Sequence, residues 1–401
     1  MLTRKQHLLC TLLVCFAAST TLAQATMADF QQVLREKASF EEHDFAALQL
    51  NQPVVRLVPT SNKREVAVTG LVNINATAED FLRSYRDSML QKSNAAILEI
   101  GRFGADPALG DIEGLSLEAK DIEDLKECVA GDCQVKLSAP MIERFRNEID
   151  WTAPDYQLRA TNLFKEMLVA YVKDYHARGE AALIEYSDKR DRVNLATEQR
   201  ALSSAGGYIN SFLADTRSGL QLIDEVLVWS KIKFGLKPVI AVNHISIYKR
   251  NSGVGPQVLV ASKQIYANHY FNAFHALTAF VNVPGAAYLV YENRSRADGL
   301  EGPFGKIKRG VVEKKALEGL RGIIAQSKAS LEGPASTAAT TADFSAHYSN
   351  GWGQRLFGGI RPLLWLLVLS AIIALLVLGR RRADSATPAK GKALKPESVK
   401  S

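Results

Sequence analysis

Residues 263–277 read KQIYANHYFNAFHAL and place two of the seven histidines of the chain among four aromatic residues. Histidine provides general acid–base groups and metal ligands, and aromatic residues form apolar pocket walls. The aromatic content and the strand-like runs on both sides favour a β-strand for this stretch. In a strand, the period of two puts His269 and His275 on one face, and His244 lies on a predicted neighbouring strand.

A metal site would need His269 and His275 to bind the same ion. Along a continuous strand six residues span about 20 Å at roughly 3.3 Å per residue, which is too far for two ligands of one metal. Only a bend or a helix could bring the two rings together; in a helix, Tyr266, Tyr270 and Phe274 would stack at spacings of four. We therefore predict no metal ion or cofactor, and His269 remains a candidate general acid–base residue.

The strand interpretation favours a ligand pocket with an aromatic wall over a catalytic centre. The chain has no nucleophile elbow, no HExxH zinc motif and no glycine-rich nucleotide-binding loop. An enzymatic role is therefore less favoured than a binding role. The predicted pocket residues are Tyr266, His269, Tyr270, Phe271, Phe274 and His244.

A second cluster, NRSRADGLEGPFGKIKR at 293–309, precedes a predicted helix. Helix N-termini attract anions, so Arg294 and Arg296 are candidates for binding a lipid phosphate. The alternative is a turn with solvated charges.

Cys128 and Cys133 occur in the sequence CVAGDC, and the other two cysteines lie in the predicted signal peptide. Outside the cytosol two cysteines so close in sequence usually form a disulfide, and Gly131 and Asp132 permit the tight turn that it needs. A redox-active dithiol is the alternative, although the spacing differs from C-x2-C. A zinc site would need two more ligands, and none is adjacent in sequence.

The two ends of the chain carry topology signals. Residues 1–25 combine a basic start, a short apolar run and small residues near a cleavage site, which is typical of a secretory signal. Residues 362–379 are uncharged and apolar and are followed by three arginines, which predicts a transmembrane helix with a cytoplasmic basic tail at 380–401. Residues 333–361 resemble a flexible linker. We expect a bacterial inner-membrane protein whose domain, 26–332, lies in the periplasm.

The net charge of +7 does not indicate nucleic-acid binding. Most of the excess positive charge lies in the signal region and beside the predicted span, so the region between them is nearly balanced. The basic residues are therefore better explained by membrane topology and contact with anionic lipid. The expected partners are the membrane and a hydrophobic ligand.

Hydrophobic periodicity predicts an α+β domain. Strand-like runs alternate at period two, and helical runs repeat every three or four residues. A helical block at about 140–215 would be an insertion in the sheet. The other main predicted elements are strands at 53–58 and 64–75, a helix at 78–91, five strands between 225 and 295, and a long amphipathic helix at 304–332.

This order resembles the helix-grip fold of START-like domains, in which a curved antiparallel sheet wraps a long C-terminal helix. The segments ASKQIYANHYF and YENRSRADGLEGPFGKIKR also resemble stretches of membrane-anchored bacterial proteins, a resemblance that implies no activity. The START-like resemblance implies an apolar cavity and a membrane-anchored binding module for a lipid or other hydrophobic molecule. The alternatives are an envelope structural or assembly protein without a small ligand and a histidine-dependent enzyme.

Overall fold

The structure, a computed structural model, describes residues 27–90, 97–204, 219–233, 237–250, 255–301 and 305–333. The predicted signal peptide, the linker after Gly333, the transmembrane segment and the basic tail lie outside these residues.

Eight of the described strands form one antiparallel sheet in the order β1-β2-β10-β9-β8-β7-β6-β3, and β4 and β5 form a small separate ladder. Five of the eight follow one another in sequence as a meander, because tight connections favour antiparallel neighbours. The strands are β1 (Val54–Val58), β2 (Glu65–Asn73), β3 (Ile97–Arg102), β4 (Glu185–Tyr186), β5 (Val193–Asn194), β6 (Gln221–Ile232), β7 (Val239–Lys249), β8 (Gly255–Ala267), β9 (Phe271–Val283) and β10 (Ala286–Ala297).

The predicted continuous strand at 263–277 is wrong, because the chain reverses between β8 and β9. Asn268 lies in the turn and is held by Ile240 of the neighbouring strand β7. The backbone N–H of Asn268 donates to Ile240 O at 3.0 Å, and its side-chain oxygen accepts from Ile240 N at 2.8 Å. Tyr270 adopts a φ of 60°, which a bulky residue rarely does. His269 therefore lies at the hairpin tip, and His275 lies in the body of β9.

One face of the sheet packs against the long C-terminal helix. The helices are α1 (Met27–Ala38), α2 (Glu42–Gln49), α3 (Ala78–Ser88), α4 (Ala119–Lys126), α5 (Ala139–Glu148), α6 (Tyr156–Arg178), α7 (Leu195–Ser204) and α8 (Gly305–Glu332). Leu320 and Ile324 of α8 and Phe81 of α3 share a buried apolar cluster with this face. At Gly70 of β2 an added Cβ would collide with Ile324, so α8 lies directly on the sheet there.

Two groups of helices cover the opposite face. Helices α1 and α2 pack on one end through Phe30 and Phe45, which cluster with Leu71 and Leu259. Helices α4 to α7 pack on the other end, where Phe164 joins a separate cluster with sheet residues. The sheet surface between the two groups is the floor of a cleft.

Two sequence predictions need correction. The helical insertion begins before residue 140, because α4 already lies between β3 and β6. The predicted fold class was also wrong in counting a transmembrane helix. Among the described helices, none combines the length and the apolar composition needed to cross a bilayer. The α+β class with a large antiparallel sheet is what the structure supports.

Candidate functional site

Three basic side chains stand side by side on the floor of the cleft. Antiparallel register pairs His244 of β7 with Lys263 of β8, and Lys263 with His275 of β9. Directly paired residues point to the same face, about 4.5–5.5 Å apart at Cα. We call these three residues the cleft row.

The cleft has a volume of about 550 Å³ and two kinds of lining. The cleft row and nearby carboxylates and hydroxyls line one part. Leucines that pack toward the α1–α2 cluster line the other. The lining residues are Glu180, Ser203, Leu220, Glu225, His244, Ser246, Tyr248, Leu259, Ala261, Ser262, Lys263, His275, Ala276 and Leu277.

Lys263 is the permanent cation of the cleft row. Its ammonium nitrogen lies 3.0 Å from Glu180 Oε1 and 5.7 Å from the ring centroid of Tyr175. Burial alone would lower the pKa of Lys263, but Tyr175 and Glu180 beside it outweigh burial and leave the pKa above its ordinary value. Lys263 is therefore protonated at neutral pH.

His244 connects two titratable side chains. Tyr175 Oη lies 2.9 Å from His244 Nδ1, and Glu225 Oε1 lies 3.2 Å from His244 Nε2. Because an ionised carboxylate only accepts hydrogen bonds, Nε2–H donates to Glu225 and Nδ1 accepts from the tyrosine hydroxyl. Burial lowers the pKa of His244, and the nearby Glu225 partly opposes that effect.

His275 retains hydrogen-bonding capacity that no described side chain uses. Its Nδ1 lies 3.3 Å from Ser203 Oγ, whereas its buried Nε2 has no partner among the described residues. Burial lowers the pKa of His275 to about 4, and the charge of Lys263 adds to the effect. The ring is therefore neutral at pH 7.

The predicted aromatic wall lies elsewhere, and of the six predicted pocket residues only His244 lines the cleft. Tyr266 packs against Phe164 of the insertion at 6.1 Å between ring centroids, and its hydroxyl donates to Lys136 O at 3.0 Å. The side chains of Tyr270, Phe271 and Phe274 belong to the buried cluster on the α8 face.

His269, the candidate general acid–base residue, is 3 % exposed and lies outside the cleft. Its Nε2 lies 2.9 Å from Asp121 Oδ2, and Lys237 Nζ lies 3.0 Å from the other oxygen of the same carboxylate. Burial alone would raise the pKa of Asp121, but His269 and Lys237 hold it below its ordinary value.

A second buried ion cluster lies at the same hairpin tip. Lys136 Nζ lies 3.0 Å from Asp298 Oδ2, Lys189 pairs with the same oxygen, and Asn272 Nδ2 donates to Asp298 Oδ1 at 2.9 Å. Burial alone would raise the pKa of Asp298, but the two lysines hold it well below its ordinary value. We call the ion pairs of His269, Asp121, Lys237, Lys136 and Asp298 the hairpin clasp, because they fasten the tip to the helical insertion.

The predicted anion-binding arginines are already paired with carboxylates. Arg294 NH1 lies 2.8 Å from Glu65 Oε1, and its Nε lies 2.7 Å from Glu292 Oε1. Arg296 contacts Glu65 and Glu198, each at 3.3 Å. A bound anion would have to compete with these buried carboxylates.

Cys128 and Cys133 form a disulfide with Cα atoms 4.6 Å apart. The loop that it closes pairs with a neighbouring segment: Gly131 N donates to Ser187 O at 2.7 Å, and Cys133 N donates to Asp188 O at 2.9 Å. In the described part of the chain no group of three His, Cys, Asp or Glu residues is arranged to hold a metal ion.

The sequence interpretation missed Lys263, Tyr175, Glu180 and Glu225 as site residues and considered His275 only as a metal ligand. The available signal was the alternation of side chains along a strand. When the chain turns at 268–270, Lys263 and His275 come to lie opposite each other and point to the same face of the sheet. The partners on α6 and the following turn could not be found in this way, because they are distant in sequence.

Comparisons with protein-family models, with curated proteins and with solved structures find no match for this chain.

Proposed function

We propose that the protein is a binding module for a small amphiphilic molecule that occupies the cleft. The observation that carries this proposal is the two-sided lining, with a polar row at one part and leucines at another. A volume of about 550 Å³ is within the usual range for small-ligand sites. The hydrophobic ligand expected from the sequence is thus refined to one with a polar head and an apolar body.

The cleft is a better ligand site than the space beneath α8. Leu320 and Ile324 of α8 fill the region over Gly70, and the predicted wall residue Phe274 packs in the same cluster. A ligand there would have to displace close-packed side chains, which costs several kcal/mol.

We place this module outside the cytoplasm, because a disulfide between Cys128 and Cys133 persists in oxidising compartments and is rare in the cytosol. Attachment to a membrane remains a prediction from the sequence.

Filling the cleft tests the proposal. Ala261 lies in register between Ser246 and Leu277, at the centre of the floor. We expect Ala261→Trp to abolish binding of 11-(dansylamino)undecanoic acid, followed by dansyl fluorescence with purified full-length protein. The exposed Ala119→Trp is the matched control. Equal binding by both variants, with unchanged melting temperatures, would reject the cleft as the site.

A second candidate function is acid–base catalysis in the same cleft, favoured by the hydrogen-bonded chain Tyr175–His244–Glu225. The His244→Gln variant would then leave affinity unchanged but stop conversion of the bound molecule. Mass spectrometry of ligand recovered after incubation with each protein separates the two functions: an unaltered ligand with the wild-type protein contradicts catalysis.

A further inference from the structure

Glu180 reaches the cleft from a surface turn. It belongs to the short 3₁₀ turn Gly179–Ala182 that follows α6, and its side chain is 56 % exposed. Its carboxylate nevertheless contacts Lys263 Nζ, and this hydrogen bond lowers the pKa of Glu180. A half-exposed carboxylate from a surface turn thus neutralises the permanent cation on the cleft floor.

The next residue in the row supplies a second donor. When the Ser203 hydroxyl donates to Nδ1 of His275, the neutral ring carries its single proton on Nε2. That Nε2 atom is buried and has no partner among the described residues. Buried donors without acceptors are rare in native proteins, so a partner from outside the described side chains is expected. Lys263 and His275 occupy directly paired positions, so one small acceptor group could receive both bonds.

We propose that the head group of the ligand is a carboxylate, bound by Lys263 and His275, and that Glu180 competes with it for Lys263. This inference rests on the proposed function of the cleft. The exchange replaces one carboxylate by another, so the charge on Lys263 stays compensated. Glu180 moves into water at small cost because it is already half exposed, and the ligand gains the bond to His275 that Glu180 does not make. The apolar body then lies against Leu259 and Leu277.

An amine is the opposite possibility, because Glu180 and Glu225 both line the cleft. The two predict opposite effects of neutralising Glu180. If Glu180 competes with the ligand for Lys263, removing its charge should increase the affinity for a carboxylate ligand. A carboxylate that itself binds an amine should weaken binding when removed.

Three probes of equal chain length separate these outcomes: octanoate, octanol and octylamine, which are short enough to remain monomeric in water. With purified full-length protein at pH 8, we expect calorimetry to detect octanoate binding at least tenfold tighter than octanol. Lys263→Met should weaken octanoate about tenfold to a hundredfold, the range for a charge-assisted hydrogen bond, and leave octanol unchanged. The control is Lys249→Met, whose side chain is 25 % exposed against 23 % for Lys263.

The direction in which neutralising Glu180 changes octanoate affinity distinguishes a carboxylate ligand from an amine. Glu180→Gln should increase octanoate affinity several-fold, whereas Glu185→Gln, on a residue outside the cleft whose side chain is 42 % exposed, should have no effect. His275→Leu should weaken octanoate and His275→Gln should largely restore it, because glutamine again offers an N–H donor.

The results distinguish the carboxylate assignment from the proposed binding function of the cleft. Tightest binding of octylamine, or weaker octanoate binding by Glu180→Gln, overturns the carboxylate assignment and leaves the cleft as a binding site. Failure of all three probes and of the dansyl fatty acid, with a folded protein, overturns the proposed function itself.

Discussion

The hairpin clasp and the cleft row use the same residue types and differ in how completely they are paired. In the clasp, His269, Asp121 and Lys136 are each no more than 3 % exposed, and each has an ion-pair partner. In the cleft row, Lys263 is paired with a half-exposed glutamate, and His275 Nε2 has no partner among the described side chains.

This difference separates a structural cluster from a binding site. Burying charges costs several kcal/mol, which is offset only when every group is paired and hydrogen-bonded. In the clasp the ionised groups are paired with one another, so they hold the β8–β9 tip against the insertion. The cleft row leaves a donor unused and its cation weakly held, which is suited to exchange with a ligand.

The largest effect is expected from breaking the clasp. Asp298→Ala leaves Lys136 with one ion-pair partner among the described residues, Asp188 at 3.6 Å, so we expect the unfolding free energy to fall by about 3 kcal/mol in urea denaturation. Octanoate affinity should stay unchanged under conditions where the variant is folded. Asp106→Ala, on a 90 % exposed side chain, is the control and should change stability by less than about 0.5 kcal/mol. Equal stabilities of the two variants would contradict the structural role.

The pH dependence of stability should differ between the two regions. The folded pKa of His275 is lowered to about 4 from an ordinary value of 6.5, so the unfolded chain binds more protons between these values. Stability contributed by this group is therefore present above about pH 6.5 and is lost as pH falls toward 4, by at most about 3 kcal/mol. Asp298 and Asp121, with lowered pKa values, lose their contributions below about pH 4.

Urea denaturation of the wild type and of His275→Gln across pH 4–7 isolates the histidine. The difference in unfolding free energy between the two proteins should change over this range and become constant above about pH 7. Parallel curves would show that His275 titrates as an ordinary exposed histidine.

A smaller loss of stability is expected from replacing His269, the candidate acid–base residue of the sequence analysis. His269→Leu removes one partner of Asp121 but leaves Lys237 in contact with that carboxylate, so we expect a loss of about 2 kcal/mol. Octanoate binding should not change, because His269 lies outside the cleft. Loss of binding without loss of stability would reverse the roles assigned to the two histidines.

The sequence predicted most of the sheet because alternating apolar residues and turn residues are local signals. The runs at 238–248 and 286–295 correspond closely to Val239–Lys249 and Ala286–Ala297, and the long helix at 304–332 corresponds to Gly305–Glu332. The α+β class is therefore readable from periodicity. START-like membership, the ligand and membrane attachment remain predictions.

The reversal at the hairpin tip was not predictable in the same way. The triplet Asn268-His269-Tyr270 has no glycine or proline, and its geometry depends on two hydrogen bonds between Asn268 and Ile240, which lies on a different strand. Likewise, Glu180 reaches Lys263 across 83 positions in sequence. Both features are tertiary and depend on strand register and on where the insertion packs.

The cleft row exists because Lys263 and His275 are separated by a fixed number of residues around a turn. Deleting a single residue from β9 before His275, with the turn kept, would point that ring toward α8 and put Ala276 in its place beside Lys263. The site therefore depends more on the number of residues between Lys263 and His275 than on the identity of most of those residues. In a library of variants, single-residue insertions and deletions at 271–274 should eliminate function far more often than substitutions do.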